Sequence, residues 1–268
     1  MEDLTPWFTG DAEIAYTDSG GDGEPLLLIH GAVTADWFTP LAAEPALRGH
    51  RVIRLVRAGY TGAPPPAGLT VGDHARHAAA LLGHLGVASA PVFAHSSGCV
   101  VALQLALDHP GLVRTLSLCE PPLVDALAAP EDREALGAMF GPIMGLAAAG
   151  DLTAAFEAFM TLVCGPDHRR VMAGVLDGED PYLFTGEMPA VGAWTVDRAA
   201  LAALRPPTRL IQGGASAPPV HRLVEHVTGM IPGASVVTVD GASHLMPFTH
   251  PAELARAIAT FHPVAAER

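Results

Sequence analysis

The sequence predicts an α/β architecture: a mostly parallel sheet covered on both faces by helices, with an all-helical segment inserted into it. Three observations predict this. Short apolar runs rich in β-formers alternate with helical patterns along most of the chain. Most of those runs are continuously hydrophobic rather than alternating, as strands buried on both faces are. Between residues 123 and about 205 the alternation stops, and no strong strand pattern interrupts a helical stretch.

The elements follow in order. "AEIAYTDSG" alternates like a half-buried strand and runs into the turn-forming "SGGDGEP". "LLLIHG" (26–31), "RVIRLV" (51–56), "PVFAHS" (91–96), "TLSLCE" (115–120), "TRLIQGG" (208–214) and "SVVTVDG" (235–241) are the further strands. Helices are expected at "TVGDHARHAAALLGHLG" (70–86) and "GCVVALQLALDHP" (98–110), and a last one at "PAELARAIATFH" (251–262) carries proline near its start, where a missing N–H is tolerated. The division is a core of residues 1–122 and 206–268, with residues 123–205 as a helical cap over the carboxyl ends of the strands, where open α/β sheets bind ligands. Met139, Phe140, Met144, Phe156, Phe159, Met160, Met172, Met188 and Trp194 belong to that cap, most as its core and a few as pocket lining.

The 268 residues carry a formal charge of −13, with all 15 basic residues arginine, which argues against nucleic acid or an anionic membrane surface as partner. Cys99, Cys119 and Cys164 form no metal-ligand spacing and lie in apolar surroundings, as buried thiols of a reducing compartment do. "MEDLTPWFTGDAEIAY" lacks a basic segment followed by an apolar run, and no apolar stretch reaches the length of a membrane span, so a cytoplasmic soluble protein is expected. No metal or organic cofactor is implied.

Three motifs carry chemistry. In "PVFAHSSGCVV" a strand runs through A-H-S-S-G into a helix, the setting of a nucleophile elbow, with Ala94 and Gly98 as the small flanks of Ser96. After "LLLIHGA" a His-Gly turn leaves a backbone N–H, that of Ala32, to face an oxyanion together with the N–H of Ser97, and Gly31 shapes the loop. In "VDGASHLMPF" His244 follows the last strand, a loop position from which its Nε2 reaches Ser96. Of the 13 histidines, His95 is expected to point away from the site, and His250 and His262 to belong to the terminal helix.

The order "LLLIHGA … AHSSG … GASH … HPAELARAIATF" resembles the α/β-hydrolase superfamily over residues 10 to 262. The resemblance implies the α/β-hydrolase fold, with an eight-stranded sheet and a lid inserted after "TLSLCEPP". It implies substrate chemistry far less specifically.

Two departures stand out. The superfamily usually places the acid of its triad after the strand "TRLIQGG", but that loop reads "GGASAPPVHRL", with Ser216 near the expected place and no carboxylate. Glu120 ends the preceding strand at the same edge of the sheet, and a glutamate ending a buried strand is unfavourable unless paired. The pattern of serine elbow, glutamate after the sixth strand and C-terminal histidine is similar to the zearalenone lactonases. Asp240 and Asp125 remain rival acids. Val56 stands where the superfamily usually has an aspartate, in a loop of structural role.

The expected reaction is two-step acyl transfer to Ser96 on an ester or lactone of a hydrophobic small molecule, with Trp194, Trp37 and Met160 shaping the substrate pocket. Carbon–carbon bond hydrolases, cofactor-free oxygenases and cyclases share the scaffold. A degenerate protein that only binds a small molecule would account for the missing aspartate.

Overall fold

The structure, a computed structural model, describes residues 4–123, 130–176, 182–195 and 198–263. One sheet contains β1 Thr5–Phe8, β2 Glu13–Asp18, β3 Glu24–Ile29, β4 His50–Val56, β5 Ala90–His95, β6 Val113–Cys119, β7 Thr208–Gly213 and β8 Ser235–Val239. The spatial order is β1-β2-β4-β3-β5-β6-β7-β8. β1 and β2 run antiparallel, and every pairing from β4 onward is parallel. The helices are α1 Thr39–Ala42, α2 Val71–His84, α3 Gly98–Asp108, α4 Pro130–Ala148, α5 Leu152–Cys164, α6 His168–Val171, α7 Met188–Ala193, α8 Arg198–Ala202, α9 Pro218–Met230, α10 Met246–Thr249 and α11 Pro251–Phe261.

All seven strands and all three helices expected from the sequence form. β1 is additional, a strand at the sheet edge whose Pro6 can be spared a ladder donor there and whose Phe8 is exposed. The continuous apolar runs have the predicted cause in the middle of the sheet: β5 is buried at every position, and in β3 Leu27 and Ile29 join one core while Leu26 and Leu28 join the other. The first core packs α2, α3 and α9 onto one face, and the second packs α1, α5 and α11 onto the other. At the edge, β8 is largely exposed although it reads "SVVTV". α4 to α8 lie between β6 and β7 in the chain, the position the sequence assigns to the helical insertion.

Register aligns the strand ends. Ile29 pairs with Ala94, His95 with Cys119, Cys119 with Ile211 and Gly213 with Val239. The residues that follow these ends, His30 to Ala32, Ser96, Glu120 and the loop from Asp240, therefore share one edge of the sheet.

At the other side of β6, the His262 ring clasps the last helix to the sheet. Its Nδ1 meets the Thr115 hydroxyl at 2.5 Å and its Nε2 the Ser117 hydroxyl at 2.8 Å, while its carbonyl accepts from His50 Nε2 at 2.9 Å. Burial, with the nearby His50, lowers the His262 pKa to about 3. His30 and His74 are likewise pushed down to about 3, first by burial and then by the Arg57 charge. These rings are neutral when folded and take up protons on unfolding below the ordinary histidine pKa of about 6.5. Folding stability is thus greatest above pH 6.5 and declines as pH falls toward 3, each such ring contributing a slope of about 1.4 kcal/mol per pH unit. Urea unfolding at pH 7.5, 5.5 and 4.5 should show this decline, and His262→Gln should flatten it by about one such increment. A stability independent of pH over that range would contradict the assignment.

Candidate active site

Ser96 sits in the turn between β5 and α3 with φ of +52°, a left-handed conformation uncommon for a residue with a side chain. Its N–H donates to the Cys119 carbonyl at 2.8 Å and its carbonyl accepts from Cys99 N–H at 2.9 Å, so the turn is held on both sides. The need for small flanks is steric. A Cβ on Gly98 would lie 2.4 Å from the His30 carbonyl oxygen, and one on Gly31 would lie 2.9 Å from Ser96 Cβ. Glu120 also has positive φ, +50°, at the end of the neighbouring strand.

Glu120 is 4% exposed, and among the described residues its carboxylate accepts three hydrogen bonds. His244 Nδ1 donates to Oε2 at 2.7 Å, the Gly213 N–H donates to Oε1 at 2.9 Å, and the Ser216 hydroxyl donates to Oε1 as well. Burial by itself would push this carboxyl up. Hydrogen bonding and charge from His244, with Ser216 and the Gly213 N–H behind them, hold it below the ordinary carboxylate value. With Nδ1 committed to Glu120, Nε2 is the nitrogen left for the cavity that His244 shares with Ser96.

Of the rival acids, Asp240 is exposed beyond the end of β8, and Asp125 lies outside the described residues. Ser216, at the position where the superfamily usually has an aspartate, donates its hydroxyl to the Glu120 carboxylate. No signal in the sequence joined the two. His95 departs from expectation. Its ring lies 4.5 Å from that of His244, and its Nε2 donates to the His244 carbonyl at 3.0 Å. Burial, then the neighbouring His244, drives the His95 pKa well down, so this ring is a neutral prop under the His244 loop.

The cavity over Ser96 is lined by Ala32, Trp37, Phe159, Met160, Cys164 and His244 among others, and has a volume of about 10 Å³, enough for a single water. Trp37 and Met160 line this cavity together with Ser96. Trp37 donates its indole N–H to the Ala32 carbonyl at 2.7 Å, and its ring lies 4.5 Å from that of His95, tilted by 48°. Trp194 is not with them. It donates to Gln104 and lines a separate cavity of about 410 Å³ between the proline loop around Pro65 and Tyr182, a cavity that touches neither Ser96 nor His244. Among the described residues, the N–H groups of Ala32 and Ser97 have no acceptor. All three cysteines are free and buried. Burial pushes the cavity-lining Cys164 thiol up to about 12, which leaves it protonated and unreactive at neutral pH. Among the described residues, no group of three or more His, Cys, Asp or Glu side chains could hold a metal, and no helix is long and apolar enough to cross a membrane.

A parallel sheet with a strained serine turn and a buried carboxylate–histidine pair at its carboxyl edge defines a class of hydrolase scaffold. The model of the alpha/beta hydrolase family matches residues 26–257, and the chain belongs to that family. It is similar to a hydrolase from Pseudomonas aeruginosa PA01, with 27% identity, a TM-score of 0.73 and coverage of 97% of this chain and 98% of that one. The enol-lactonase from Burkholderia xenovorans LB400 shares the fold, with a TM-score of 0.78 at 19% identity over 96% of this chain and 99% of that one. A probable lysophospholipase, BODYGUARD 3 of Arabidopsis thaliana, is 33% identical over 106 residues, which is 37% of this chain and only 21% of that protein. Family membership and these relatives support a hydrolase.

The glycine geometry has a measurable consequence. Gly98→Ala should destabilise the protein by about 1–3 kcal/mol through its clash with backbone. Gly137→Ala, on helix α4 with open space around it, should be neutral or stabilise by up to about 1 kcal/mol. Urea unfolding of the two variants checks the contrast, and equal effects would refute the close-approach account.

Proposed function

We propose that this protein is a serine hydrolase that cleaves a carboxylic ester or lactone of a hydrophobic small molecule, with Ser96 as nucleophile, His244 as base and Glu120 as the acid. The observation that carries the reading is the 2.7 Å bond from His244 Nδ1 to a glutamate buried at the end of β6. His244 Nε2 takes the Ser96 proton as Oγ attacks the carbonyl, and Glu120 holds the imidazole in the required tautomer and stabilises its transient charge. The Ala32 and Ser97 N–H groups receive the oxyanion, and His244 returns its proton to the leaving alkoxide. A water activated by His244 then hydrolyses the acyl-enzyme. α4 to α8 act as a cap, and Phe159 and Met160 of α5 close the apolar wall over the serine.

The structural neighbours described as enol-lactonase and thermophilic esterase favour this bond type. A protein that only binds a ligand has no use for a buried carboxylate–imidazole pair or for two N–H donors without acceptors beside a strained serine. With Glu120 paired, the missing aspartate no longer argues for degeneracy.

Treatment with a fluorophosphonate should add one adduct, mapped by peptide mass spectrometry to Ser96 and absent in His244→Ala. With a p-nitrophenyl ester, Glu120→Gln should lower kcat by roughly 10³–10⁴, as loss of the orienting acid does elsewhere. Asp240→Asn should be neutral, and Ser216→Ala should lower kcat by about 3- to 10-fold through a loosened carboxylate, the order of one ordinary hydrogen bond. A folded protein that takes no label and cleaves no ester would overturn the reading.

The size of the pocket gives a second test. Met160→Ala should improve kcat/KM for longer acyl chains relative to acetyl, because the cavity over Ser96 holds only about 10 Å³ and Met160 is part of its wall. A wild-type chain-length profile in this variant would remove Met160 from the substrate wall.

A further inference from the structure

A second buried carboxylate is paired with the segment that follows β4. Glu187, 2% exposed, ends a π-helical turn, Leu183–Glu187, within the inserted helices. It forms a bidentate pair with Arg57, which directly follows β4: NH1 to Oε2 at 3.0 Å and NH2 to Oε1 at 2.9 Å, with the Tyr60 hydroxyl on Oε2 at 3.1 Å. Burial alone would push this carboxyl up, but the Arg57 charge holds it down to about 2, so the pair stays ionised. Arg57 does more than neutralise Glu187. Its NH2 also donates to the Gly31 carbonyl at 3.1 Å, and its backbone N–H donates to His30 Nε2 at 3.1 Å. His30 Nδ1 in turn meets the same Gly31 carbonyl at 2.6 Å.

The Gly31 carbonyl and the Ala32 N–H belong to one planar trans peptide and point in opposite directions. Two donors gripping the oxygen therefore aim the N–H away from them, toward the cavity that Ala32 lines. A cationic donor on the oxygen also polarises the peptide and makes its N–H a stronger donor. Beside the same pair, the buried Ser97 side chain helps hold the Glu187 carboxyl down. The Arg57–Glu187 pair thus anchors the peptide of one N–H assigned to the oxyanion and lies beside the residue that carries the other.

We infer that Glu187 is a positioning residue contributed by the cap: through Arg57 it fixes the Gly31–Ala32 peptide, so that seating of the cap and alignment of the oxyanion donor are one event. The inference rests on the acyl-transfer reading above. Removing Glu187 releases the guanidinium to reorient, and the peptide loses its anchor while Ser96, His244 and Glu120 stay in place.

The experiment compares the wild type with Glu187→Gln and with the double variant Arg57→Met/Glu187→Leu. The double variant replaces a buried ion pair by apolar packing, which commonly restores or raises stability. Urea unfolding, fluorophosphonate labelling of Ser96 and kcat and KM on a p-nitrophenyl ester are measured for each. Both variants should lose kcat by 10-fold or more, toward the 10²–10³ typical of a lost oxyanion donor, with KM within about 3-fold of wild type. The double variant should stay slow even where its stability matches wild type. Wild-type kcat in a double variant of wild-type stability overturns the inference and leaves the pair structural, as does a loss confined to KM. Should both variants fail to fold, Tyr60→Phe removes a single bond to Glu187 and should lower kcat about 2- to 5-fold at unchanged KM; an unchanged kcat overturns the inference. A wild-type protein that neither labels nor hydrolyses overturns the acyl-transfer reading and this inference with it. A labelled wild type beside an equally fast double variant overturns this inference alone.

Discussion

A carboxylate at the end of a strand buried on both faces has no water to turn to, so the protein must surround it with donors. Around Glu120 it does so with groups from two different loops: the Gly213 N–H at the end of β7 and the Ser216 hydroxyl just beyond it, and His244 Nδ1 after β8. Those bonds outweigh the desolvation that would otherwise protonate the carboxyl, and they fix the last two crossovers of the sheet relative to β6. The position of His244, the tautomer it adopts and the course of the chain from Gly213 to Ser216 all follow from that requirement. His95, neutral and packed under the His244 carbonyl, closes the arrangement from the side of the serine.

Local chemistry explains why much of this was legible in the sequence. Ser96 and Gly98 were visible because a strand meeting a helix within two residues leaves space only for hydrogen beside the His30 carbonyl. Glu120 was visible because a charge ending an apolar run needs a partner, whatever that partner is. The partners themselves were not, since Ser216 and His95 act through contacts 96 and 149 residues apart along the chain, which no periodicity encodes. Trp194 was assigned to the serine pocket by residue type alone, and its indole N–H found Gln104 on α3 instead. β1 escaped because an edge strand with an exposed Phe8 and an internal proline has neither alternation nor a continuous apolar run.

The requirement that pairs Glu120 applies equally to Arg57. "RVIRLV" is an apolar strand with a charge immediately after it, and a guanidinium 2% exposed must have an anion. The sequence holds no aspartate near it, because Val56 occupies the place where the family usually has one. The anion comes instead from Glu187, 130 residues later, in a stretch whose helical pattern is too weak to assign a face. The departure at Val56 and the ion pair to the inserted helices therefore fit together: with no acid in its own loop, Arg57 is satisfied from across the chain.

Two buried carboxylates, Glu120 and Glu187, have different partners, and the difference suits the reaction proposed. Glu120 faces an imidazole, which must be neutral before the chemistry and cationic during it, so the pair alternates between an ion–dipole contact and an ion pair. Glu187 faces a guanidinium, which never loses its proton in a protein, so that pair is constant through the cycle. A base needs a partner whose attraction grows as charge develops, whereas a backbone donor needs an anchor that does not change when the proton moves. Exchanging the two cations would serve neither purpose, since an arginine beside Glu120 could not accept the serine proton and a histidine beside Glu187 would release the Gly31 peptide whenever it lost its own.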